Sequence, residues 1–228
     1  MYKIGYLGNF EKVPQVVEYI LNSDIENLEK ELKNGWDINK EIFIEEFAII
    51  TPLEIALQCN NEKVINWLIE KGADITIKNR FGERPYSIAV LNKNQEMINY
   101  IKSLEPEDFH NEEARKSIIK KYKLPKDMVE FFNKGDLKIE FSENIDSKYI
   151  EFWKLEDTVE MTWKRKKYLS LVKDLENYWF HFLWYPKEKN IYIFDAEHEE
   201  IFKIGEWNYF ISNCEEIVNK FLNGELEN

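Results

Sequence analysis

Histidine, aspartate and cysteine are the residue types in this sequence that could carry acid–base, metal or nucleophilic chemistry. There are three histidines, His110, His181 and His198, and Asp195 precedes His198 by three residues. A catalytic or metal site needs several such groups converging in one pocket, and the sequence offers no second motif beside this pair. We therefore interpret Asp195 as a turn residue, His198 as an exposed side chain and His181, which lies in an apolar strand, as a core residue.

The two cysteines and the early glycines give no catalytic or cofactor-binding motif either. Cys59 and Cys214 are far apart, and neither has a nucleophile signature around it, which predicts neither a disulfide framework nor a zinc cluster. Gly5 and Gly8 are too closely spaced for a phosphate-binding loop. We expect no catalytic residue, no cofactor and no metal, and hence a protein that is not an enzyme.

The charge of the chain indicates the kind of partner. It has 43 acidic and 31 basic residues, a net charge of −12, which disfavours nucleic acid and anionic membranes and favours a basic protein. Residues 164–167, Lys-Arg-Lys-Lys, form the one basic cluster; it could touch phosphate or an acidic partner, but a solvated loop is the favoured interpretation. The N-terminus lacks a signal-peptide core and no apolar run is long enough for a membrane span, so we expect a cytoplasmic protein.

Residues 51–76 have the pattern of two short helices followed by a turn. Thr51 is placed to cap a helix that begins at Pro52, and Glu54 stands at the capping-box position. Gly72 is the kind of residue that ends a helix in a left-handed conformation. The apolar positions recur 33 residues later, in the pairs Pro52 and Pro85, Ala56 and Ala89, Ile65 and Ile98, and Leu68 and Ile101.

This pattern and period resemble the ankyrin repeat, which implies neighbouring repeats that bury one another's apolar faces. An earlier, divergent repeat covers helices at 14–22 and 24–33 and the turn 35–39, and a last one covers the opening at 84–89 and a second helix at 94–104. The resemblance implies protein binding through the turns, or fingers, and the inner helices. The family's usual His is Glu54 here, which affects the hydrogen bonding between repeats. We expect helices only before about residue 105.

The first finger carries a four-residue insertion with large apolar side chains between acids. Such a finger either packs against the second domain or meets a partner, and the sequence leaves both open. We predict the following protein-binding residues: Glu41, Ile42, Phe43, Ile44, Glu45, Glu46, Phe47, Arg80, Phe81, Glu206, Trp207 and Tyr209.

The second half has the pattern of strands joined by tight turns and framed by helices. A short strand is predicted near Phe152, an aromatic strand at 179–185, and two further strands at 191–195 and 201–204. Ser212 and Glu215 form a capping box that would open a last helix at 213–222. The order of elements predicts an α+β domain with an antiparallel or mixed sheet.

This half resembles the SUKH superfamily, whose members open with a Leu-Pro helix that ends in Asn-x-Gly and close with a hairpin and a helix. The matching positions are Leu124, Pro125, Phe131, Asn133, Gly135, Phe152, Leu155, Tyr192, Asp195, Ser212 and Phe221. The resemblance implies an immunity protein, since known bacterial members bind and silence a cognate toxin.

The sequence therefore predicts a multi-domain protein: an ankyrin solenoid of about three repeats at 1–104, a joint or opening helix at 105–123, and a SUKH-like α+β domain at 124–228. We hypothesise a non-enzymatic bacterial immunity protein that occludes the active site of a basic toxin. The alternatives are a general ankyrin adaptor for a cellular protein, and an enzyme with a pocket around His181 or His198.

Overall fold

The computed structural model describes residues 1–5, 8–44, 48–142, 145–176, 180–196 and 198–226, with the backbone alone for Ala48 and Ile49. The chain divides into two compact units, Met1–Glu105 and Pro106–Asn228. The first unit is mainly helical and the second is rich in antiparallel sheet.

In the part of the first unit that the structure describes, the short helices form three consecutive pairs. They are α1 (Gln15–Leu21) with α2 (Ile25–Lys33), α3 (Pro52–Gln58) with α4 (Glu62–Glu70), and α5 (Pro85–Leu91) with α6 (Gln95–Leu104). The two helices of each pair contact each other, and α3 contacts both α1 and α5. The pairs are therefore stacked in chain order around α3.

The same turn joins the two helices of each pair. A residue with a positive φ precedes the N-cap residue of the second helix, and the N-cap side chain accepts a hydrogen bond from the backbone N–H three residues on. This cap satisfies an N–H group that the helix itself leaves without a partner. The residues are Ser23 and Asp24, Asn60 and Asn61, and Lys93 and Asn94.

The capping box that begins α3 is confirmed. The Thr51 hydroxyl oxygen accepts a hydrogen bond of 3.2 Å from the backbone N–H of Glu54, and the Glu54 carboxylate accepts in return from the backbone N–H of Thr51. Pro52 is the first helical residue, where its missing N–H costs nothing. Gly72 follows the end of α4 with a φ of 94°, as its type predicts.

The expectation of helices only before residue 105 is wrong, because the first unit also contains two hairpins. One joins β1 (Tyr2–Ile4) to β2 (Gly8–Phe10), and the other joins β3 (Ile42–Ile44) to β4 (Ala48–Ile50). The second hairpin is built from the four-residue insertion in the first finger. Its alternating side chains suit a strand, since Ile44 is fully buried and its neighbour Phe43 is exposed.

One apolar core runs through the first unit and joins all three helix pairs. Leu68 and Ile65 of the central pair have no exposed surface, and Ile101, the counterpart of Leu68, is also fully buried. Ile98, the counterpart of Ile65, is partly buried against the same core. The 33-residue recurrence of apolar residues therefore corresponds to positions that pack on neighbouring helices.

The second unit contains two antiparallel sheets and the helices that pack on them. Its helices are α7 (Glu112–Lys121), α8 (Lys126–Asn133), α9 (Trp207–Ser212) and α10 (Cys214–Leu222). The first sheet has the order β5 (Lys138–Glu140), β6 (Tyr149–Phe152), β9 (Val172–Asp174). The second has the order β12 (Glu200–Gly205), β11 (Asn190–Asp195), β10 (Phe180–Tyr185), β8 (Lys166–Ser170), β7 (Val159–Trp163).

The helices and one face of the sheets share a core rich in aromatic side chains. The rings of Phe131, Phe152 and Trp207 lie 5.0 to 6.1 Å apart in edge-to-face arrangements, a geometry that aromatic pairs prefer. The indole N–H of Trp184 donates to the backbone carbonyl of Tyr122 at 2.8 Å. Burial of Trp184 therefore leaves no polar atom of its side chain unsatisfied.

Two predictions in this unit need correction. Residues 164–167 were interpreted as a solvated loop, but only Lys164 and Arg165 form the loop, and Lys166 and Lys167 open β8 in the hairpin of β7 and β8. The predicted capping box is also wrong: Ser212 lies inside α9, the N-cap of α10 is Asn213, and Glu215 accepts a hydrogen bond from the backbone N–H of Ser142 instead. Apolar spacing starts at Trp207, so the helical segment begins earlier than the capping signal suggests.

Candidate protein-contact site

The hairpin of β3 and β4, here called the finger hairpin, is anchored by its inward side chains. Ile42 pairs with Ile50, and Phe43 pairs with Ile49. Ile44 is 0% exposed and Ile50 is 4% exposed, and Ile42 is partly buried against the core of the first unit. The hairpin is thus held to the helices by the isoleucines, so Ile44, although predicted to contact a partner, supports the finger.

The outward side of the finger hairpin carries Phe43. Its side chain is 67% exposed, which is unusual for a large aromatic residue. Glu41, just before β3, is also exposed. Glu45, Glu46 and Phe47, which were predicted to extend this surface, lie outside the described residues.

The turn at residues 79–83 forms the next finger and is organised by the side chain of Asn79. Its Oδ1 accepts hydrogen bonds from the backbone N–H groups of Phe81 and Glu83, both at 3.0 Å. Arg80 is exposed, and its guanidinium carbon lies 4.8 Å from the centroid of the Phe81 ring. Phe81 is only 6% exposed, so of the two predicted contact residues Arg80 alone is presented.

The carboxyl group of Glu54, in α3, contacts the turn at residues 79–83. Asn79 donates from its Nδ2 to Oε1 of Glu54 at 2.7 Å and to Oε2 of Glu83 at 2.9 Å. Both glutamates are 4% exposed. The pKa of Glu54 is raised to about 8: burial raises it most, the charges of Glu83 and Glu41 add to the rise, and the hydrogen bonds from Asn79 and Thr51 oppose it. Asn79 thus connects the turn at 79–83 to α3 through the carboxyl group of Glu54.

The third predicted group, at 206–209, lies at the start of α9 in the second unit. Trp207 is 3% exposed and belongs to the core, so it supports the fold. Glu206 is exposed, and Tyr209 is 53% exposed, with its ring against Gly205. Glu206 and Tyr209 are thus the members of this group that a partner could reach.

The other side chains considered for chemistry have structural partners. His198 lies 2.7 Å from a carboxylate oxygen of Asp195, His110 lies 3.3 Å from Asp157, and His181 is 5% exposed in β10. Among the residues that the structure describes, no group of three or more His, Cys, Asp or Glu side chains could hold a metal ion.

The surroundings of both cysteines disfavour the thiolate, which is the form that acts as a nucleophile. Burial raises the pKa of Cys59, and burial together with the charge of Glu215 raises the pKa of Cys214 to about 12. A catalytic cysteine needs a lowered pKa, because the thiolate is the reactive form.

No helix in the described part of the chain is long and apolar enough to cross a membrane.

Sequence reasoning missed the Glu54, Asn79 and Glu83 network. Two buried glutamates look like surface residues in a sequence, since glutamate is seldom fully buried without a partner. One signal was available: Glu54 replaces the His that the ankyrin resemblance implies, at a position that bonds the next repeat.

Comparison with known families gives one match. The family model of the ankyrin repeat matches residues 50–80, which cover α3, α4 and most of the following turn. A search of curated proteins found no match to the chain. Residues 50–80 are therefore similar to the ankyrin repeat, a family of units that mediate contacts between proteins.

Proposed function

We propose that this protein binds a basic protein partner through the finger hairpin, and that it is a bacterial immunity protein that neutralises a cognate toxin by covering the toxin's active site. The observation that carries the proposal is Phe43, which is 67% exposed on a hairpin whose other side is buried. The hairpin directly precedes the ankyrin match at 50–80.

The finger hairpin has the features of an interaction hot spot. An aromatic side chain on a fixed backbone loses little conformational entropy on binding, and aromatic residues dominate the energetics of interfaces. Ile44 and Ile50 fix the backbone by their burial, and exposed Glu41 lies beside Phe43. An apolar anchor next to an acid suits a partner with an apolar pocket and a basic rim.

Net charge supports a partner of this kind. The chain carries −12, and a toxin that acts on nucleic acid needs a basic cleft to bind phosphates. Opposite charges speed the encounter between two proteins and fix their orientation. Inhibition by occlusion needs no chemistry from this chain, in keeping with the raised pKa values of its thiols.

The architecture that we propose is a solenoid of three ankyrin repeats at 1–104, a joint at 105–123 and a SUKH-like domain at 124–228. The recurring turn before α2, α4 and α6 supports the three repeats. For the second domain, the support is that α8 directly follows Leu124 and Pro125, that Gly135 after it has a positive φ, and that β11 ends at Asp195.

The experiment is co-expression of the chain with the toxin encoded beside it, with bacterial growth as the readout. We expect the intact protein to restore growth. Phe43→Ser should reduce rescue and weaken the affinity for the purified toxin by about tenfold or more. An aromatic side chain that becomes buried in an interface contributes at least about 1 to 2 kcal/mol to the free energy of binding.

A matched control separates loss of contact from loss of stability. Leu104, at the end of α6, is also a large exposed apolar residue, 42% exposed, and Leu104→Ser should leave rescue and affinity unchanged. Failure of the intact protein to restore growth would end the immunity hypothesis. Full rescue and unchanged affinity with Phe43→Ser would move the contact to the second domain.

A general adaptor for a cellular protein is the second candidate. It is favoured by the ankyrin match alone, because the repeat binds many kinds of protein. If the protein is an adaptor, no neighbouring toxin is neutralised. A purified signalling or housekeeping partner should instead bind the chain, and Phe43→Ser should weaken this binding while Leu104→Ser should not.

A further inference from the structure

Basic side chains gather at one end of the five-stranded sheet in the second unit. Two turns, the start of β8 and the middle of β12 supply them, and all of them are exposed. They are Lys164, Arg165, Lys166, Lys167, Lys187, Lys189 and Lys203, and we call this group the basic end.

The strand register brings these separate segments together. Trp163 pairs with Lys166 across the loop of the β7 and β8 hairpin. Because β10 runs antiparallel to β8, with Trp184 opposite Leu169, the turn after β10 lies beside that loop. Lys203, opposite Tyr192 in β12, completes the edge. The sequence showed only residues 164–167, since the other lysines are distant along the chain.

Few acids balance this charge. Glu188 is the acid within the group, at 3.9 Å from Lys166 and 3.2 Å from Lys203, and Glu206 follows the end of β12. For the other five basic residues, the described part of the chain provides no ion pair. The second unit as a whole has more acids than bases, so the positive charge is concentrated locally against the overall balance.

Three residues of the basic end have a backbone conformation with positive φ. Lys164 and Arg165 form a two-residue loop with φ values of 44° and 65°, and Lys189 in the neighbouring turn has a φ of 55°. A two-residue hairpin loop with positive φ at both positions favours Asn-Gly, because other side chains are strained there. Three of the seven bases thus occupy positions with positive φ, where Gly or Asn would be less strained than Lys or Arg.

We propose that the basic end is a second docking surface, which binds an acidic segment of a partner protein. It is independent of the finger hairpin and has the opposite charge preference. Lysine ammonium groups on flexible side chains can each meet a carboxylate, and localised opposite charges steer such an encounter.

A protein segment fits this surface better than nucleic acid does. The basic end spans roughly 20 Å, from the spacing of about 4.8 Å between neighbouring strands, and a duplex that extends beyond it would meet a unit with excess acid. Single-stranded nucleic acid needs exposed rings for stacking. Here Trp163 packs against Phe194 with ring centroids 4.7 Å apart, and Tyr185 is buried at 6% exposure.

The test measures binding of a fluorescently labelled ten-residue glutamate peptide to the full chain at low salt, by fluorescence anisotropy. The first variant carries glutamine at Lys164, Lys167, Lys187 and Lys189. We expect its affinity for the peptide to fall about tenfold. Each exposed charge pair contributes little to the free energy of binding, and the loss of four pairs adds up to a change of this size. The matched control carries glutamine at four exposed lysines elsewhere in the unit, Lys120, Lys123, Lys134 and Lys154, and should bind as the native protein does.

A second variant keeps the proposal testable if the first folds poorly. Lys164→Asn with Arg165→Gly gives the loop its preferred sequence, so the melting temperature should rise or stay constant while the affinity for the peptide falls several-fold. A stable variant with weaker binding supports a role for the charge itself.

Three results would overturn the proposal. One is equal affinity of the native chain and the first variant for the peptide. Another is tighter binding of an oligonucleotide of equal charge, which would assign the surface to nucleic acid. The third is dimerisation of the native chain that the first variant abolishes, which would assign it to a second copy. Phe43→Ser should leave peptide binding unchanged, so failure here and failure of toxin neutralisation are distinguishable.

Discussion

Glu54 shows how one substitution in a repeat pattern changes the chemistry of an interface between helix pairs. At this position the ankyrin resemblance implies His, whereas this chain has a glutamate. Its carboxyl group accepts hydrogen bonds from the backbone N–H of Thr51 and from the side-chain amide of Asn79. Burial outweighs those hydrogen bonds and raises the pKa of Glu54 to about 8. The folded protein therefore holds a proton on Glu54 at neutral pH.

This proton predicts a pH dependence of stability. The unfolded chain ionises Glu54 near pH 4.5 and the folded chain near pH 8, so between these values the folded state binds more protons. The free energy of unfolding should fall as pH rises through that window, by on the order of 3 to 5 kcal/mol, and level off above it. Urea melts at several pH values would measure the fall.

Glu54→Gln isolates this contribution, because a neutral amide keeps the acceptor for Asn79. We expect this variant to match the native protein near pH 5 and to exceed its stability above pH 8. Glu70→Gln, at the exposed end of α4, is the control and should follow the native profile. Parallel profiles of Glu54→Gln and the native protein would contradict a buried proton on Glu54.

At the scale of the elements, the turn inside each helix pair does more than cap a helix. In the central pair, Asn61 accepts from the backbone N–H of Val64 at 3.4 Å and also donates to the backbone carbonyl of Ile20 at 2.8 Å, which is the last turn of α1. In the last pair, Asn94 caps α6 through the backbone N–H of Met97 at 3.1 Å. The central turn therefore fastens two pairs together.

Alanine substitutions should separate these two roles. Asn94→Ala should cost about 1 kcal/mol, the usual value for a lost N-cap. Asn61→Ala should cost about 2 kcal/mol, because it also removes the hydrogen bond from Asn61 to the carbonyl of Ile20, which joins two helix pairs. Equal losses in urea denaturation would mean that the bond to Ile20 contributes nothing.

At the scale of the whole molecule, charge is distributed unevenly over a strongly acidic chain. The chain carries −12, while the basic end concentrates seven cations. Interactions between exposed charges fall off within about 10 Å at ordinary salt. Each surface therefore attracts its own kind of partner despite the overall charge.

This predicts how salt affects binding to a basic toxin. Replacing Glu41, Glu45 and Glu46 with Gln should slow association and flatten its dependence on salt, with little effect on dissociation, because charges at the rim of an interface act on the encounter. Three exposed acids elsewhere, Glu112, Glu113 and Glu130, replaced in the same way, are the control. Stopped-flow measurements at several salt concentrations give the association rates. If the triple Gln variant of the finger has the same salt dependence of association as the native protein, these acids do not steer the encounter.

Local signals in the sequence determined the helical part of the first unit. Thr51, Pro52 and Gly72 fix the ends of α3 and α4 through hydrogen bonds and backbone geometry within a few residues, and the apolar spacing of Ile65 and Leu68 identifies the buried face. Strands β10, β11 and β12 were also predictable, because apolar runs between turn residues indicate strands.

Only the tertiary structure decided the features that depend on contacts between distant residues. The β7 and β8 hairpin belongs to the five-stranded sheet because β8 pairs with β10, a later segment of the chain. Burial of Glu54 depends on Asn79, 25 residues away, and the basic end depends on a strand register that joins lysines from three segments. Propensity and periodicity act within one element, whereas desolvation and charge density depend on which elements meet. The sequence therefore predicted the helices, left the exposure of the finger open, and showed neither the buried acid nor the lysines that join residues 164–167 in the basic end.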